Sequence, residues 1–271
     1  MNYRHAYHAG NHADALKHAV LLALLQRLTA KPAPFAVLDT HAGIGCYDLA
    51  ADEASRTGEW RDGIGRLLDA NPPDLAAYLD LVRNFAPSYP GSPEIARAML
   101  REQDRLLLCE LHPDDSETLK RRYAREARVA VHHRNGYEAI GALLPPKPIG
   151  RGLVLIDPPY EKPDEADAVA RALQTLVARW PHAQMALWYP IKDPALSWRL
   201  HEAAFDAGYE NLLAIELTVV PTDGLHMAGS GVLLGNAPYE FEKSFAPSLG
   251  ALHAVLDRGG GHARLAHLAR A

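Results

Sequence analysis

The sequence lacks the features that define several broad classes of protein. It contains only two cysteines, Cys46 and Cys109, which lie far apart and form no CxxC pair, so neither a zinc knuckle nor a disulfide framework is expected. The longest apolar run near its start, residues 19–25, is far shorter than the roughly 20 residues that cross a bilayer. The polar, histidine-rich residues before that run do not resemble a signal peptide. We therefore expect a cytoplasmic protein with no membrane partner.

A large excess of positive charge is also missing. The 271 residues include 28 lysines and arginines against 33 aspartates and glutamates, a formal net charge of −5. That balance argues against a protein that coats nucleic acid by its overall charge, but it does not exclude a local basic patch. The length is enough to bury a full core, so we expect a single domain over residues 1–271 with an elaboration inside it.

The most informative segment reads Gly-Leu-Val-Leu-Ile-Asp-Pro-Pro-Tyr over residues 152–160. Its branched apolar residues are typical of a strand buried on both faces of a parallel sheet, and the two prolines cannot continue that strand. Ligands bind at the carboxyl ends of such strands. There, Asp157 and the Pro158 carbonyl could accept the two N–H bonds of an exocyclic amine, while Tyr160 stacks on a flipped base. This set suits a methyltransferase of base amines; the alternative is a turn in which Asp157 caps the next helix.

Two further predicted strands end in an acidic residue. Residues 35–39 end at Asp39 before a turn that contains Gly43, and residues 105–110 end at Glu110. A strand, an acid and a glycine turn are typical of the start of a nucleotide-binding Rossmann-type sheet. The turn is not GxGxxG, so it suits an enzyme that uses S-adenosylmethionine (SAM) better than an NAD enzyme. An acid at the end of the second strand accepts hydrogen bonds from ribose hydroxyls in such sites.

The interval between these two strands is several times longer than a crossover helix needs. The excess, about residues 50–91, contains helical patterns and is predicted to be a small helical insertion, either a lid that faces RNA or an inert elaboration. We expect that replacing residues 51–89 with a short linker would spare the fold and SAM binding but weaken RNA binding. Beyond it, Ser92 is predicted to cap a helix that begins at Pro93, whose free N–H groups would suit a carboxylate such as that of SAM.

The chain before the first strand is predicted to contain a helix over residues 12–28. Asp14, Lys17 and His18 share one face of it at spacings i, i+3 and i+4, and that face either meets a cofactor or lies in a solvated first turn. The four histidines among the first 18 residues fit no familiar metal-ligand spacing, and methyl transfer to an amine needs no metal. No metal site is therefore expected.

The remaining segments complete the predicted α/β sheet. After a third strand at 129–132, Asn135 and Gly136 either meet the adenine amine of the cofactor or form an ordinary turn. Residues 259–261 are three glycines and are expected to begin a flexible tail. A helix is predicted over 165–179, and strands over 184–189, 211–220 and 230–234, the last two as an antiparallel edge.

These motifs together resemble the signature of the RlmJ family, whose members are SAM-dependent adenine-N6 methyltransferases of large-subunit (23S) ribosomal RNA. The resemblance covers nearly the whole chain in one order, including the helical insertion and residues 187–190. It implies an α/β fold of the Rossmann-like class I methyltransferase type, with the insertion at about residues 50–91. The segments that carry it are 3–14 with 17–18, 39–43, 89–93, 110–113 and 157–160.

The resemblance also implies a role for individual residues. Asp157 would be the catalytic acceptor, with Pro158 and Tyr160 beside it, and Tyr3 and His5 would help at the target adenine. Asn135-Gly136 stands where relatives often have Asp-Gly, so a neutral amide would replace a charged acceptor and could weaken SAM binding modestly. The positions implied around SAM are His18, His41, Gly43, Ser92, Glu110, Asn135, Gly136 and Asp157.

The implied reaction is a direct in-line methyl transfer. Acceptance of both N–H bonds favours a pyramidal nitrogen whose lone pair points at the sulfonium methyl, and an aspartate of ordinary pKa, near ~3.9, is ionised at neutral pH. We expect a monomer that acts on ribosomal RNA before assembly of the subunit is complete. The alternatives are a DNA adenine methyltransferase, a protein-glutamine methyltransferase, which usually has Asn at position 157, and a non-catalytic RNA-binding protein that keeps a SAM fold.

Overall fold

The apolar runs predicted as strands form one mixed sheet of eight strands in the computed structural model, which describes residues 4–270. Two further short strands pair with each other beside it. The strands are β1 (Ala36–Asp39), β2 (Cys46–Asp48), β3 (Ser88–Pro90), β4 (Arg105–Glu110), β5 (Val129–His133), β6 (Gly152–Ile156), β7 (Gln184–Ile191), β8 (Leu212–Thr218), β9 (Gly229–Gly235) and β10 (Ala263–Leu268).

Ten α-helices among the described residues cover the sheet and form the insertion. They are α1 (His12–Thr29), α2 (Asp52–Thr57), α3 (Arg66–Ala70), α4 (Ala76–Arg83), α5 (Ser92–Met99), α6 (Pro113–Tyr123), α7 (Gly136–Leu143), α8 (Glu165–Arg179), α9 (Pro194–Ala207) and α10 (Phe241–Leu256). Single turns of other helical types lie at His5–Tyr7, Arg61–Gly65 and Pro73–Leu75.

The sheet has the strand order β10-β8-β9-β7-β6-β1-β4-β5. The five strands from β7 to β5 run parallel, while β9 is antiparallel to both β7 and β8. Every residue of β1 and β6 is buried, as expected for central parallel strands covered on both faces. This order brings the carboxyl ends of β4, β1 and β6 side by side, and with them the three acids predicted there. The expected Rossmann-like α/β arrangement with an antiparallel finish is confirmed.

Helix α1 is buried almost all round and not only along one apolar stripe. Its leucines pack against the sheet, α5 and α10, and its polar residues Asp14, Lys17 and His18 are also buried. A helix apolar on all sides belongs inside a protein. The alternative of a solvated first turn is therefore wrong.

The insertion belongs to the same core as α1. Ile64, Leu67, Leu79 and Tyr89 are fully buried and pack in one cluster with the leucines of α1. At its base the insertion is closed by the antiparallel pair β2–β3, which the helical patterns did not reveal. Removing residues 51–89 would uncover α1 and delete Tyr89, so the structure contradicts the expectation that the fold and the site would be spared.

The chain after the three glycines is not a flexible tail. Gly259 and Gly260 have φ values of +112° and +83°, which glycine adopts at low cost, and they turn the chain back toward the sheet. Asp257 accepts the N–H groups of Gly259 and Gly261 at 3.0 and 2.9 Å. Strand β10 then pairs antiparallel with β8 along its whole length and forms the edge of the sheet.

Removal of residues 259–271 should therefore destabilise the protein. The lost ladder of β10 contributes several hydrogen bonds at about 1 kcal/mol each, so we expect the free energy of unfolding to fall by roughly 2–4 kcal/mol. Urea unfolding followed by circular dichroism measures it. Arg264→Ala is the control, because it removes only an exposed ion pair with Glu216 and should cost less than about 1 kcal/mol. Equal free energies of unfolding for the truncated and full-length proteins would support a flexible tail instead.

Candidate active site

The carboxyl ends of the parallel strands open into a cavity of about 570 Å³, a size typical of small-molecule sites. Its walls come from the ends of β1, β4, β6 and β7, from α1 and from the insertion. Most residues that the sequence predicts for the site therefore meet in one place. Those that line the cavity are His5, His18, His41, Gly43, Ser92, Glu110, Asp157, Pro158 and Tyr160.

Two of the predicted cofactor residues, Asn135 and Gly136, do not line this cavity. The Oδ1 atom of Asn135 accepts the backbone N–H of Tyr137 at 2.9 Å and caps α7. A Cβ on Gly136 would lie 2.1 Å from the Thr40 carbonyl oxygen, so this glycine allows α7 to approach β1. Contact of the pair with SAM stays a prediction. Tyr3 lies outside the described residues, and its role at the adenine also stays a prediction.

A buried chain of charges connects α1 to the end of β6. The Nζ atom of Lys17 lies 2.6 Å from Oδ2 of Asp157 and 2.8 Å from Oδ1 of Asp14. The other oxygen of Asp14 is 2.9 Å from Nε2 of His5 and accepts the Gly10 N–H at 2.9 Å. The side chain of Lys17 is 5% exposed and that of Asp157 is 14% exposed. The polar face of α1 therefore meets the end of the central strand.

Burial alone would push these groups toward their neutral forms. It opposes ionisation of Asp14, yet His5 and Lys17 outweigh it and hold the pKa of that carboxyl well below its usual value. Burial also disfavours the lysine ammonium, yet Asp14 and Asp157 raise the pKa of Lys17 well above its usual value. Lys17 is therefore a permanent cation that orients the Asp157 carboxylate.

Two histidines in the cavity wall are uncharged at neutral pH. The Nδ1 atom of His18 lies 2.7 Å from the Tyr89 hydroxyl, which is 2.9 Å from that of Tyr78, and burial lowers the pKa of His18 to about 3. Burial likewise lowers the pKa of His41 to about 4, and its Nδ1 atom lies 2.8 Å from Oγ1 of Thr40. Both rings offer hydrogen bonds to a ligand without adding positive charge.

The acids at the ends of β1 and β4 are both held by neighbouring donors. Asp39 accepts the Ser92 hydroxyl at 2.6 Å, and burial raises the pKa of Asp39 to about 7. Glu110 accepts the N–H groups of Gly43 at 2.8 Å and His112 at 2.7 Å, and burial raises its pKa. Each oxygen of Glu110 thus has one donor from the protein, and its remaining lone pairs can serve a ligand.

The predicted cap at Ser92 is wrong. Helix α5 begins at Ser92 itself, Gly91 precedes it, and no side chain within residues 4–270 caps the helix. The Ser92 hydroxyl is engaged with Asp39 instead. Ser92 therefore fixes the acid at the end of β1 and lines the cavity from the start of α5.

The ring of Tyr160 is held against the end of β7. Its φ of +49° is uncommon for a residue with a side chain, and such conformations cluster at functional sites. Its hydroxyl donates to the Trp188 carbonyl at 3.0 Å, and the two ring centroids are 6.0 Å apart with their planes at 53°. The Lys17 ammonium lies 6.0 Å from the centre of the Trp188 ring. Two aromatic walls therefore stand beside Asp157.

Some parts of the site have no clear signal in the sequence. The spacing of α1 placed Lys17 near the site, but its bond to Asp157 joins residues 140 positions apart. Trp188 entered only through the family resemblance, although an aromatic residue near the end of a strand beside β6 is a usable clue. No sequence pattern indicated Glu59. It accepts a hydrogen bond from the Asn11 side chain at 2.9 Å and so joins the insertion to the start of α1.

Two of the histidines at the start of the chain contact carboxylates. His5 lies against Asp14, and Nδ1 of His8 is 2.9 Å from Glu59. Across residues 4–270, no group of three His, Cys, Asp or Glu side chains is placed to hold a metal ion. In the same part of the chain, no helix is both long and apolar enough to span a membrane.

Comparison with known proteins gives consistent matches. The family model described as "Ribosomal RNA large subunit methyltransferase D, RlmJ" matches residues 32–269. The protein named "Ribosomal RNA large subunit methyltransferase J" from Escherichia coli is 41% identical over 272 residues, 97% of each chain. Its namesake from Haemophilus influenzae is 41% identical over 251 residues, 89% of each chain. A crystal structure of a Legionella pneumophila protein, 32% identical, superposes with a TM-score of 0.88 and covers 96% of this chain and 98% of its own.

The neutral histidines predict a stability that falls on acidification. Between about pH 6.5 and pH 4 the unfolded chain binds a proton at His18 that the folded chain does not, so the free energy of unfolding decreases as the pH falls. This one group contributes about 1.4 kcal/mol per pH unit in that window. Asp39 acts oppositely, because its raised pKa gives the folded state the extra proton.

The measurement is urea unfolding in steps between pH 6.5 and pH 4.5. His18→Gln should reduce the slope of unfolding free energy against pH by about 1.4 kcal/mol per unit. His182→Gln, at an exposed position, is the matched control and should leave the slope unchanged. A slope identical in wild type and His18→Gln would mean that His18 is protonated in the folded state.

Proposed function

The chain belongs to the RlmJ family of ribosomal RNA large subunit methyltransferases, and from that premise we propose that it transfers a methyl group from SAM to N6 of an adenine in large-subunit ribosomal RNA. One observation carries the proposal. Asp157 follows the central strand into the cavity, one of its oxygens is fixed by a buried lysine, and two aromatic rings stand beside it. These groups suit an adenine amine and the ring that carries it.

The residues of the cavity fit SAM. Glu110 keeps free lone pairs on two oxygens that backbone N–H groups hold in place, which suits the two hydroxyls of a ribose. A Cβ on Gly43 would lie 2.2 Å from the Tyr47 hydroxyl, so only glycine leaves this turn open at the cavity wall. The neutral rings of His18 and His41 can bond the ligand without repelling a sulfonium cation. SAM supplies an electrophilic methyl group on that sulfonium.

Asp157 acts on the orientation of the amine. Lys17 binds Oδ2 of Asp157, so Oδ1 is the oxygen that accepts one N6–H bond, and the Pro158 carbonyl accepts the other. With both hydrogens directed at fixed acceptors, the nitrogen lone pair is turned out of the plane of the base. Tyr160 and Trp188 offer faces for the ring to stack on.

The reaction balances without a further co-reactant. The N6–methyl bond forms as the sulfur–methyl bond breaks, and the sulfonium becomes a neutral thioether. The methylated amine then carries one extra proton. That proton is lost after the transfer. Because the carboxylate only accepts hydrogen bonds during the transfer, a strong base is not required at this position.

The test uses ribosomal RNA that the enzyme has not modified. Protein-free RNA from a strain without this gene is incubated with labelled SAM and purified protein, and the modified base is mapped by digestion and mass spectrometry. We expect a single N6-methyladenine in the large-subunit RNA. A DNA of the same local sequence serves as the control substrate. Label in DNA but not in RNA, or on another base, would refute the proposed substrate.

Asp157→Ala should abolish methylation and leave SAM affinity within a few-fold of wild type. The reason is that Asp157 is proposed to hold the amine and not the bulk of the cofactor. Single-turnover methylation and calorimetric SAM titration measure the two quantities. We expect a loss of at least about 100-fold in rate, since tenfold is only about 1.4 kcal/mol of barrier. The control is Asp164→Ala, an exposed acid on the same loop; a rate for Asp157→Ala within tenfold of wild type would remove Asp157 from the mechanism.

Deletion of residues 2–8 should reduce turnover far more than SAM affinity. The segment includes His5, which contacts Asp14, and Arg4, which lies 3.2 Å from Asp115 at the cavity rim, and it is proposed to act on the positioned base. We measure turnover at saturating SAM together with the dissociation constant of SAM. Equal losses in both would assign the segment to the cofactor pocket, and no loss in either would show that it has no part in the reaction.

A further inference from the structure

The loop between β8 and β9 presents an apolar side chain to solvent. Residues 221–226 are all exposed, and Leu225 is 70% exposed near the tip. Single exposed apolar residues are common and need no explanation by themselves. Leu225 differs from others such as Trp198 and Tyr239 because its loop is internally braced and joins the wall of the cavity.

The brace is the side chain of Asp223. One of its oxygens accepts the backbone N–H groups of Leu225 and His226, both at 2.8 Å, and the other lies 2.7 Å from Nδ1 of His226. Gly224, with φ of +75°, allows the tight turn between them. An aspartate that binds the chain two and three residues ahead fixes the turn locally. The loop therefore presents Leu225 at a small further cost in conformational entropy.

The base of the loop is attached to the active site. Val219 and Ala228 close it through an N–H to carbonyl bond of 2.8 Å, and the Ala228 N–H donates to the Ile191 carbonyl at the end of β7, also at 2.8 Å. Met227 and Pro190 line the cavity. Since Leu225 is two residues from Met227, their Cα atoms are at most about 7 Å apart. Leu225 is therefore an exposed apolar residue close to the opening through which a base would enter the cavity.

A base that is methylated on its exocyclic amine must leave its stack, and the neighbours of the vacated position lose their stacking partner. Proteins that unstack nucleic acids insert apolar side chains such as leucine between the base steps. We propose that Leu225 is such a wedge: it enters the gap that the target adenine leaves in the RNA and holds the base in the extruded state. This inference rests on the proposed function and adds the residue that makes a paired adenine accessible.

The test compares two RNA duplexes that carry the mapped adenine and differ only opposite it, with uracil in one and an abasic site in the other. The Leu225→Ala protein should methylate the adenine opposite uracil at least about tenfold more slowly than the wild-type protein. It should stay within about threefold of wild type on the adenine that faces the abasic site, because that base needs little help to leave the stack. Leu225→Ile should restore most of the rate on the paired adenine.

A second readout follows the extrusion itself. With 2-aminopurine in place of the target adenine, fluorescence rises as the base unstacks, and Leu225→Ala should give a smaller rise than wild type at equal occupancy. Tyr239→Ala removes an even more exposed apolar residue, 86% exposed, and is the matched control, expected to behave as wild type in both assays.

The outcomes separate the wedge from the function it rests on. Equal losses on the two duplexes, or no loss on either, would overturn the wedge and leave the proposed function standing. No methylation of any RNA by the wild type would overturn the proposed function, and the wedge with it.

Discussion

The buried contact of Lys17 with Asp14 and Asp157 is the interaction on which the site depends. A lone charge in this place would cost several kcal/mol, and the removal of one partner from a buried pair typically costs about 3–5 kcal/mol, because it leaves the other uncompensated. Here one ammonium lies between two carboxylates, 2.8 and 2.6 Å away, and His5 contacts the outer oxygen of Asp14. The contact between Lys17 and Asp157 therefore couples the packing of α1 on the sheet to the position of the proposed acceptor.

The same burial decides how the rest of the cavity is charged. Desolvation keeps His18 and His41 neutral and raises the pKa of Asp39 to about 7. Lys17 is a cation in this wall, and its charge is compensated by Asp14 and Asp157. The two neutral histidines add no further positive charge to the site proposed for the sulfonium, and the carboxylates are available to orient polar ligands.

The sequence predicts those parts of the molecule that depend on local patterns. The buried strands, the acids at their ends and the turn after Asp157 follow from short apolar runs, proline and glycine within a few residues. The bond from Lys17 to Asp157 does not, because it depends on how α1 packs across the sheet. Strand β10 was missed because three glycines indicate flexibility until a partner strand is known. The insertion was misjudged for the same reason: its apolar residues could be counted, but their burial against α1 is tertiary.

The net charge of −5 is compatible with an RNA substrate because phosphates respond to the charges near the cavity and not to the sum over the surface. Arg134, Lys162 and Lys192 follow β5, β6 and β7 at the edge where the cavity opens, and all three are exposed. With a Debye length of about 8–10 Å at physiological salt, acids on the far side of the molecule are screened from a strand bound at that edge. The parallel sheet therefore brings together at one edge these exposed cations, the acids that end β1 and β4, and the proposed acceptor Asp157.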